Sequence, residues 1–216
     1  MKTNRTQTTA GAALVVLLAC AAGAADDAVP RPSPPAAASV EFEKHTLPAT
    51  PALDKSSIYQ LESVWTRSDS KKATLADLKG KVRVLAIFYS SCEYACPIIV
   101  GRMKAVRAAL PPAARDATGF VLVSMDPEHD DPARLRDYAK RMELEGDWTL
   151  LHGSDGDVRE LGAVLGFRFR QEKDGGFSHS NMITVLDREG RVSHQLIGLE
   201  PDVDEAVRAV TSLIVP

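Results

Sequence analysis

The sequence predicts an α/β domain built on a central sheet, and three observations predict it. Residues 82–89 (VRVLAIFY) and 120–125 (FVLVSM) are mainly apolar runs of strand length, as expected of strands covered on both faces. Between them Ile99, Met103, Val106 and Leu110 recur at helical spacing, giving a strand–helix–strand unit with a right-handed crossover. Downstream, residues 182–186 and 192–197 flank Asp187-Arg188-Glu189-Gly190 as the arms of a hairpin. The other elements follow in chain order. Residues 57–65 read as a weaker strand, and residues 74–78 as a short helical turn. Pro111-Pro112 stops the helix of the first unit. Asp131 as N-cap with Pro132 behind it opens a helix to about Met142. Another helix covers about residues 155–164, and Val203, Val207 and Val210 stripe a closing one. No internal repeat is visible.

Composition narrows the function. The 216 residues are 44% hydrophobic and 25% charged, globular proportions that suit one domain with extensions. A net charge of −3 offers no basic field to a nucleic-acid backbone, so nucleic acid is not an expected partner. Three cysteines exclude a disulfide scaffold and a four-cysteine zinc finger, and neither GxGxxG nor GxxxxGK[ST] occurs. At the N-terminus Lys2 and Arg5 precede a run from Ala10 to Ala25 whose only polar side chain is the thiol of Cys20. That run is short for a membrane span and well sized for a signal peptide. Leu17-Leu18-Ala19-Cys20 resembles a bacterial lipobox, which makes residues 1–25 a signal segment with lipid on Cys20. Ordinary cleavage after Ala24 or Ala25 and retention as an uncleaved anchor are the competing readings. Each of the three places the rest of the chain outside the cytoplasm, in the cell envelope. Residues 26–50 form a tether, with four prolines between Asp26 and Val40, and residues 51–216 the folded domain.

The chemistry concentrates at Cys92 and Cys96, within Phe88-Tyr89-Ser90-Ser91-Cys92-Glu93-Tyr94-Ala95-Cys96-Pro97. This segment is the strand-to-helix turn at the carboxyl end of a strand, where open α/β sheets place their sites. Pro97 suits a first helical turn, so Cys96 lies where free amides and the helix dipole favour thiolate. With three residues between them the sulfurs can bond to each other or share a soft metal ion. A purely structural disulfide is a weaker reading, because closing so short a loop adds little stability. Of five histidines, His45 and His152 read as surface residues, His129 as a loop residue and His194 as part of the hairpin's second strand. His179 lies in a glycine-softened loop directly before a core strand, and its position raises it above the others as a third ligand. Met103, Met125, Met142 and Met182 read as packing, and Trp148 as a core or rim aromatic.

Four blocks taken together resemble the SCO/SenC family of copper chaperones: Cys92-x-x-x-Cys96-Pro97, then Val123-Ser124-Met125-Asp126-Pro127-Glu128-His129-Asp130, then Trp148, then His179-Ser180 before a strand. The resemblance runs from about Ile58 to the C-terminus. It implies a thioredoxin-like fold, a three-layer sandwich with a central mixed sheet. It implies one copper ion held by the thiolates of Cys92 and Cys96 and the imidazole of His179. It further implies metallation of the copper-receiving subunit of a respiratory haem–copper oxidase, a carrier's role and not an enzyme's turnover. Soft thiolates favour Cu(I) and imidazole admits Cu(II), which suits a carrier that meets both states. An oxidising compartment would close a Cys92–Cys96 disulfide, so a thiol reductant is an implied partner. Asp126 aligns with a family aspartate and has either a supporting role behind the ligands or a turn-fixing one. The alternative function is a thiol–disulfide oxidoreductase acting on a partner's cysteines through the redox pair Cys92 and Cys96. The chain departs from the family pattern at Glu93, Ser178 and Asp131, where proline, aspartate and threonine are common. A plain thioredoxin is disfavoured, because no proline stands between Pro132 and Pro201 to face the dithiol and the spacing is CxxxC. A peroxiredoxin would have threonine or serine where Tyr89 stands.

Overall fold

The computed structural model describes residues 57–214 except 145 and 174; the signal segment, Cys20, His45 and the whole tether lie outside the described residues. Strands and helices are numbered in chain order. The main sheet contains β1 (Trp65–Arg67), β2 (Lys72–Ala73), β3 (Val82–Phe88), β4 (Thr118–Ser124), β5 (Trp148–His152), β8 (Met182–Leu186) and β9 (Val192–Ile197). Its order is β2-β1-β5-β4-β3-β8-β9. The strands β3, β4 and β5 are mutually parallel, β1 and β8 flank them antiparallel, and β9 pairs antiparallel with β8, so the sheet is mixed. A separate two-stranded sheet pairs β6 (Phe169–Gln171) with β7 (Phe177–His179).

The central position of β3 follows from its composition. Val82, Val84, Ala86 and Phe88 belong to one buried cluster, with Ile99, Val100, Met103 and Val106 of α1 (Ala95–Ala109). Leu135 and Tyr138 of α3 (Pro132–Arg141) and Ala206 and Val210 of α5 (Val203–Ser212) complete that layer. Leu85 and Ile87 belong to the opposite cluster, with Val158, Leu161 and Leu165 of α4 (Asp155–Leu165) and with Ile58, Trp65, Leu75 and Leu78. Alternate side chains thus feed alternate cores, the period of two expected of a pleated strand. The result is the three-layer arrangement, helices over both faces of one sheet.

Local signals set the boundaries. Asp131 caps α3 by accepting from the Arg134 amide at 2.8 Å. Ser154 and Asp157 form a capping box on α4, which ends at Gly166 in the left-handed conformation (φ 70°). Pro111 does stop α1, and Pro112 then starts a further short helix, α2 (Pro112–Asp116), as proline at a first helical position does. Residues 57–65 are not a strand. Ser57 takes the Tyr59 amide on its side chain and turns Ile58–Gln60 into a 3₁₀ segment, so the strand begins only at Trp65. Thr74 caps a second 3₁₀ segment, Leu75–Leu78, where a helical turn is expected.

Trp65 is fully buried, and its indole N–H donates to Ser63 Oγ at 2.8 Å. It leaves no room at Gly153, where a Cβ atom would stand 2.6 Å from Trp65 Cε3 and Cζ3. A pinned indole cannot retreat. Gly153→Ala is therefore expected to lower stability by about 1–3 kcal/mol through overpacking, measured by urea unfolding followed by tryptophan fluorescence. An unchanged midpoint would mean that the β1–β5 corner is not tightly packed.

Candidate metal centre

The cysteine turn begins where β3 runs out of apolar residues. Tyr94 gives α1 no side-chain cap, so the amides of its first turn need other acceptors. One is a sulfur: the Cys96 amide donates to Cys92 Sγ at 3.3 Å, while the Cys92 amide closes onto the Tyr89 carbonyl, also at 3.3 Å. Pro97 occupies the first turn, where its missing N–H costs nothing. Both cysteines are free thiols, Cys92 half-buried and Cys96 buried. The two sulfurs share a proton unequally. Cys92 is lowered to about 4 because the Cys96 thiol donates to it; burial opposes this, and the Cys96 and Tyr94 amides and the Tyr89 side chain add to it. Cys96 is raised for the converse reason, its hydrogen bond to Cys92 first and burial second.

His179 is the last residue of β7, paired with Phe169 across the small sheet. It is a strand residue and not a loop residue, which corrects the sequence expectation. The missed signal is the alternation Phe167-Arg168-Phe169-Arg170 followed by Gly175-Gly176, a hairpin pattern. The His179 ring stacks on Phe167 (centroids 6.1 Å apart, planes at 20°) and meets Tyr89 edge-on (6.0 Å, 87°). Its Nδ1 lies 2.9 Å from the Ser180 carbonyl oxygen. A carbonyl only accepts, so Nδ1 carries the proton and Nε2 keeps the lone pair. A donor atom from each of Cys92, Cys96 and His179 lies within 4.8 Å of the other two. Sulfur and nitrogen ligands bond metals at about 2.0–2.3 Å, so two donors of one ion stand at most about 4.6 Å apart. The 4.8 Å spread is slightly wider than that, so the donors must draw together to share one ion, and the donor set is that of a soft metal site.

The chain carries the match expected of such a site. The family model described as SCO1/SenC covers residues 56–215. The chain belongs to the SCO1/SenC family. It is 26% identical over 165 residues to the SCO1 protein homolog of Bacillus subtilis, spanning 72% of this chain and 84% of that one. The crystal structure of a SCO1/SenC family lipoprotein from Bacillus anthracis superposes with a TM-score of 0.64 at 25% identity, covering 75% of this chain and 99% of its own. Copper-bound ScoI of Bradyrhizobium japonicum shares the fold, with a TM-score of 0.60 at 22% identity over 70% of this chain and 96% of that one. The fold of this SCO1/SenC member is thioredoxin-like, a central mixed sheet between helical layers.

Asp126 is buried, and its Oδ1 accepts from His129 Nδ1 at 2.8 Å while its carbonyl takes the His129 and Asp130 amides. It holds its own turn after β4. His129 is raised by that hydrogen bond and stands out in solvent. His152 is half-buried at the end of β5, with no hydrogen-bond partner for its buried Nδ1 among the described residues, so it is not the surface residue expected. His194 Nε2 pairs with Glu205 on α5 at 2.8 Å. Met103, Met125 and Met182 are buried and Met142 packs at the core's margin, as expected of packing residues. Trp148 starts β5 and lies 5.0 Å from the Phe120 ring. Glu93 and Ser178 are both exposed, so these two departures from the family pattern lie on the surface. Sequence reading passed over Tyr89, which touches both Cys92 and His179, and over the aromatic wall of Phe167 and Phe177.

In the reduced protein, iodoacetamide should modify Cys92 far faster than Cys96, at a rate nearly independent of pH from 6 to 9. An ordinary thiol titrating near about 8.5 slows tenfold for each unit below that value. A thiolate held down to about 4 stays ionised throughout the range. A rate that falls tenfold per unit below pH 8 would show that Cys92 is not so held.

Proposed function

We propose that this protein carries one copper ion as cargo, bound by Cys92, Cys96 and His179, and passes it to the copper-receiving subunit of a haem–copper oxidase. The observation that carries the reading is the convergence within 4.8 Å of two sulfurs, from the turn after β3 and the start of α1, and one imidazole from β7 of the small sheet. Thiolates hold Cu(I), and the imidazole extends the site to Cu(II). One thiolate is already formed in the reduced state, so binding an ion displaces only the proton of Cys96. The copper held by the Bradyrhizobium relative is in keeping with this reading.

The placement proposed for the protein is the bacterial envelope. Residues 1–25 export it, Cys20 carries lipid, and residues 26–50 hold the domain clear of the membrane; the Bacillus anthracis lipoprotein supports this reading. A thiol reductant keeps Cys92 and Cys96 open there. A second reading rests on the unequal exposure of the two thiols. A half-buried, ionised Cys92 and a buried, protonated Cys96 form the nucleophile and resolving pair of a thiol–disulfide oxidoreductase.

The two readings part at His179. Anaerobic titration of the reduced full chain with Cu(I) against a competing chelator should give ~1 copper per chain, weakened by Cys92→Ser, Cys96→Ser and His179→Ala. Binding no tighter than in the serine variants would overturn the carrier reading. Dithiol exchange retained by His179→Ala, together with copper affinity unchanged by that substitution, would favour the oxidoreductase.

A further inference from the structure

Asp130 has no exposed surface, and the nearest guanidinium among the described residues, that of Arg134, lies 3.9 Å away. A buried carboxylate without a close ion pair must be held by hydrogen bonds, since desolvation alone would cost several kcal/mol. Asp130 is held by the ends of two neighbouring strands. Its Oδ2 accepts from the Ser90 amide at 2.9 Å and from the Ser124 hydroxyl at 2.6 Å, and its Oδ1 accepts from the Ser90 hydroxyl.

These bonds converge on Ser90, two residues ahead of Cys92. The Ser90 hydroxyl oxygen also accepts from Arg134 Nε at 3.0 Å, and the Ser90 carbonyl from Arg141 Nη2 at 3.4 Å. Every polar group of Ser90 is therefore taken by Asp130 or by α3. The obvious structural role for an acid before α3 is to cap that helix, but its neighbour Asp131 does so. Asp130 instead reaches back across the sheet to the turn that carries the first cysteine.

We infer that Asp130 is a positioning residue for the three-donor centre, clamping Ser90 so that the turn holds Cys92 Sγ beside Cys96 and His179. The inference rests on the copper reading for one of its readouts and stands without it for the other. Asp130→Asn keeps the shape but replaces one acceptor oxygen by a donor, so Ser90 or Ser124 loses a partner. Ser90→Ala removes only the hydroxyl and leaves the Ser90 amide bonded to the carboxylate.

The test measures, in the full chain, Cu(I) affinity by chelator competition and the Cys92–Cys96 redox equilibrium with glutathione, with folding checked by circular dichroism. Folded Asp130→Asn should bind Cu(I) about 10- to 100-fold more weakly than the unsubstituted chain, as is usual on losing a group that orients a ligand. Ser90→Ala should fall between the two, and the glutathione equilibrium should shift severalfold in both variants. Copper affinity within twofold and an unshifted glutathione equilibrium would overturn the inference and assign Asp130 to the fold alone. If the unsubstituted chain binds no copper, the copper reading fails, and the glutathione equilibrium alone decides on Asp130. If Asp130→Asn does not fold, Ser90→Ala decides by the same two measurements.

Discussion

The structure depends on the burial of β3 on both faces. A strand whose successive side chains enter opposite cores cannot slip by one residue without exchanging the two sets. Its register with β4, from Val82 opposite Thr118 to Phe88 opposite Ser124, fixes where both strands end. The cysteine turn leaves β3 and the Asp126–Asp130 turn leaves β4 at the same edge of the sheet. Met125 donates its amide to the Phe88 carbonyl there and carries the ladder one step beyond the strands. The cysteine side of the candidate centre thus stands at the end of doubly covered strands, and the polar groups beside it, Ser90, Ser124 and Asp130, are buried because the strands that deliver them are.

The two thiols differ although they are four residues apart. Cys96 faces the core under α1, where a charge is costly and the proton stays. Cys92 collects amide donors from the uncapped start of the same helix, where a charge is welcome. The capping defect at Tyr94 and the acidity of Cys92 are two sides of one arrangement, since the sulfur serves as the acceptor that Tyr94 does not supply. Tyr94 itself, which stands between the two cysteines in the chain, is 72% exposed.

Much of this was legible in the residues. The runs that became β3 and β4, the Asp131-Pro132 start of α3 and the hairpin of β8 and β9 announce themselves because their signals are local: apolar continuity, a cap, a turn. The strand β5 did not, since Trp-Thr-Leu-Leu-His has too little pattern in five residues and owes its state to pairing with β4 and β1. The pair β6 and β7 was missed for a related reason, each strand being three residues long and held by aromatic contacts. The two cysteines were legible as a chemical centre, but His179 was singled out by position and by family resemblance, because proximity between residues 96 and 179 leaves no trace in spacing. Asp126 drew attention where Asp130 did not. Both acids stand in the same block, and only the hydrogen bonds distinguish the one that holds its own turn from the one that holds its neighbour's.

The hairpin that carries His179 lies outside the main sheet's hydrogen-bond ladder. An ion shared by Cys96 and His179 would close a loop of about 80 residues, and on the chain-entropy account a cross-link of that span removes between about 3 and 4.7 kcal/mol of freedom from the open chain. Cargo at this site would also be a staple. The loaded molecule would resist heat and proteases as a stitched one does, and the empty molecule would hold that hairpin by its aromatic packing and hydrogen bonds without the added link. On the proposed function, release of the ion would then be accompanied by a loosening of the chain, so that giving up the metal would also mark the molecule as empty.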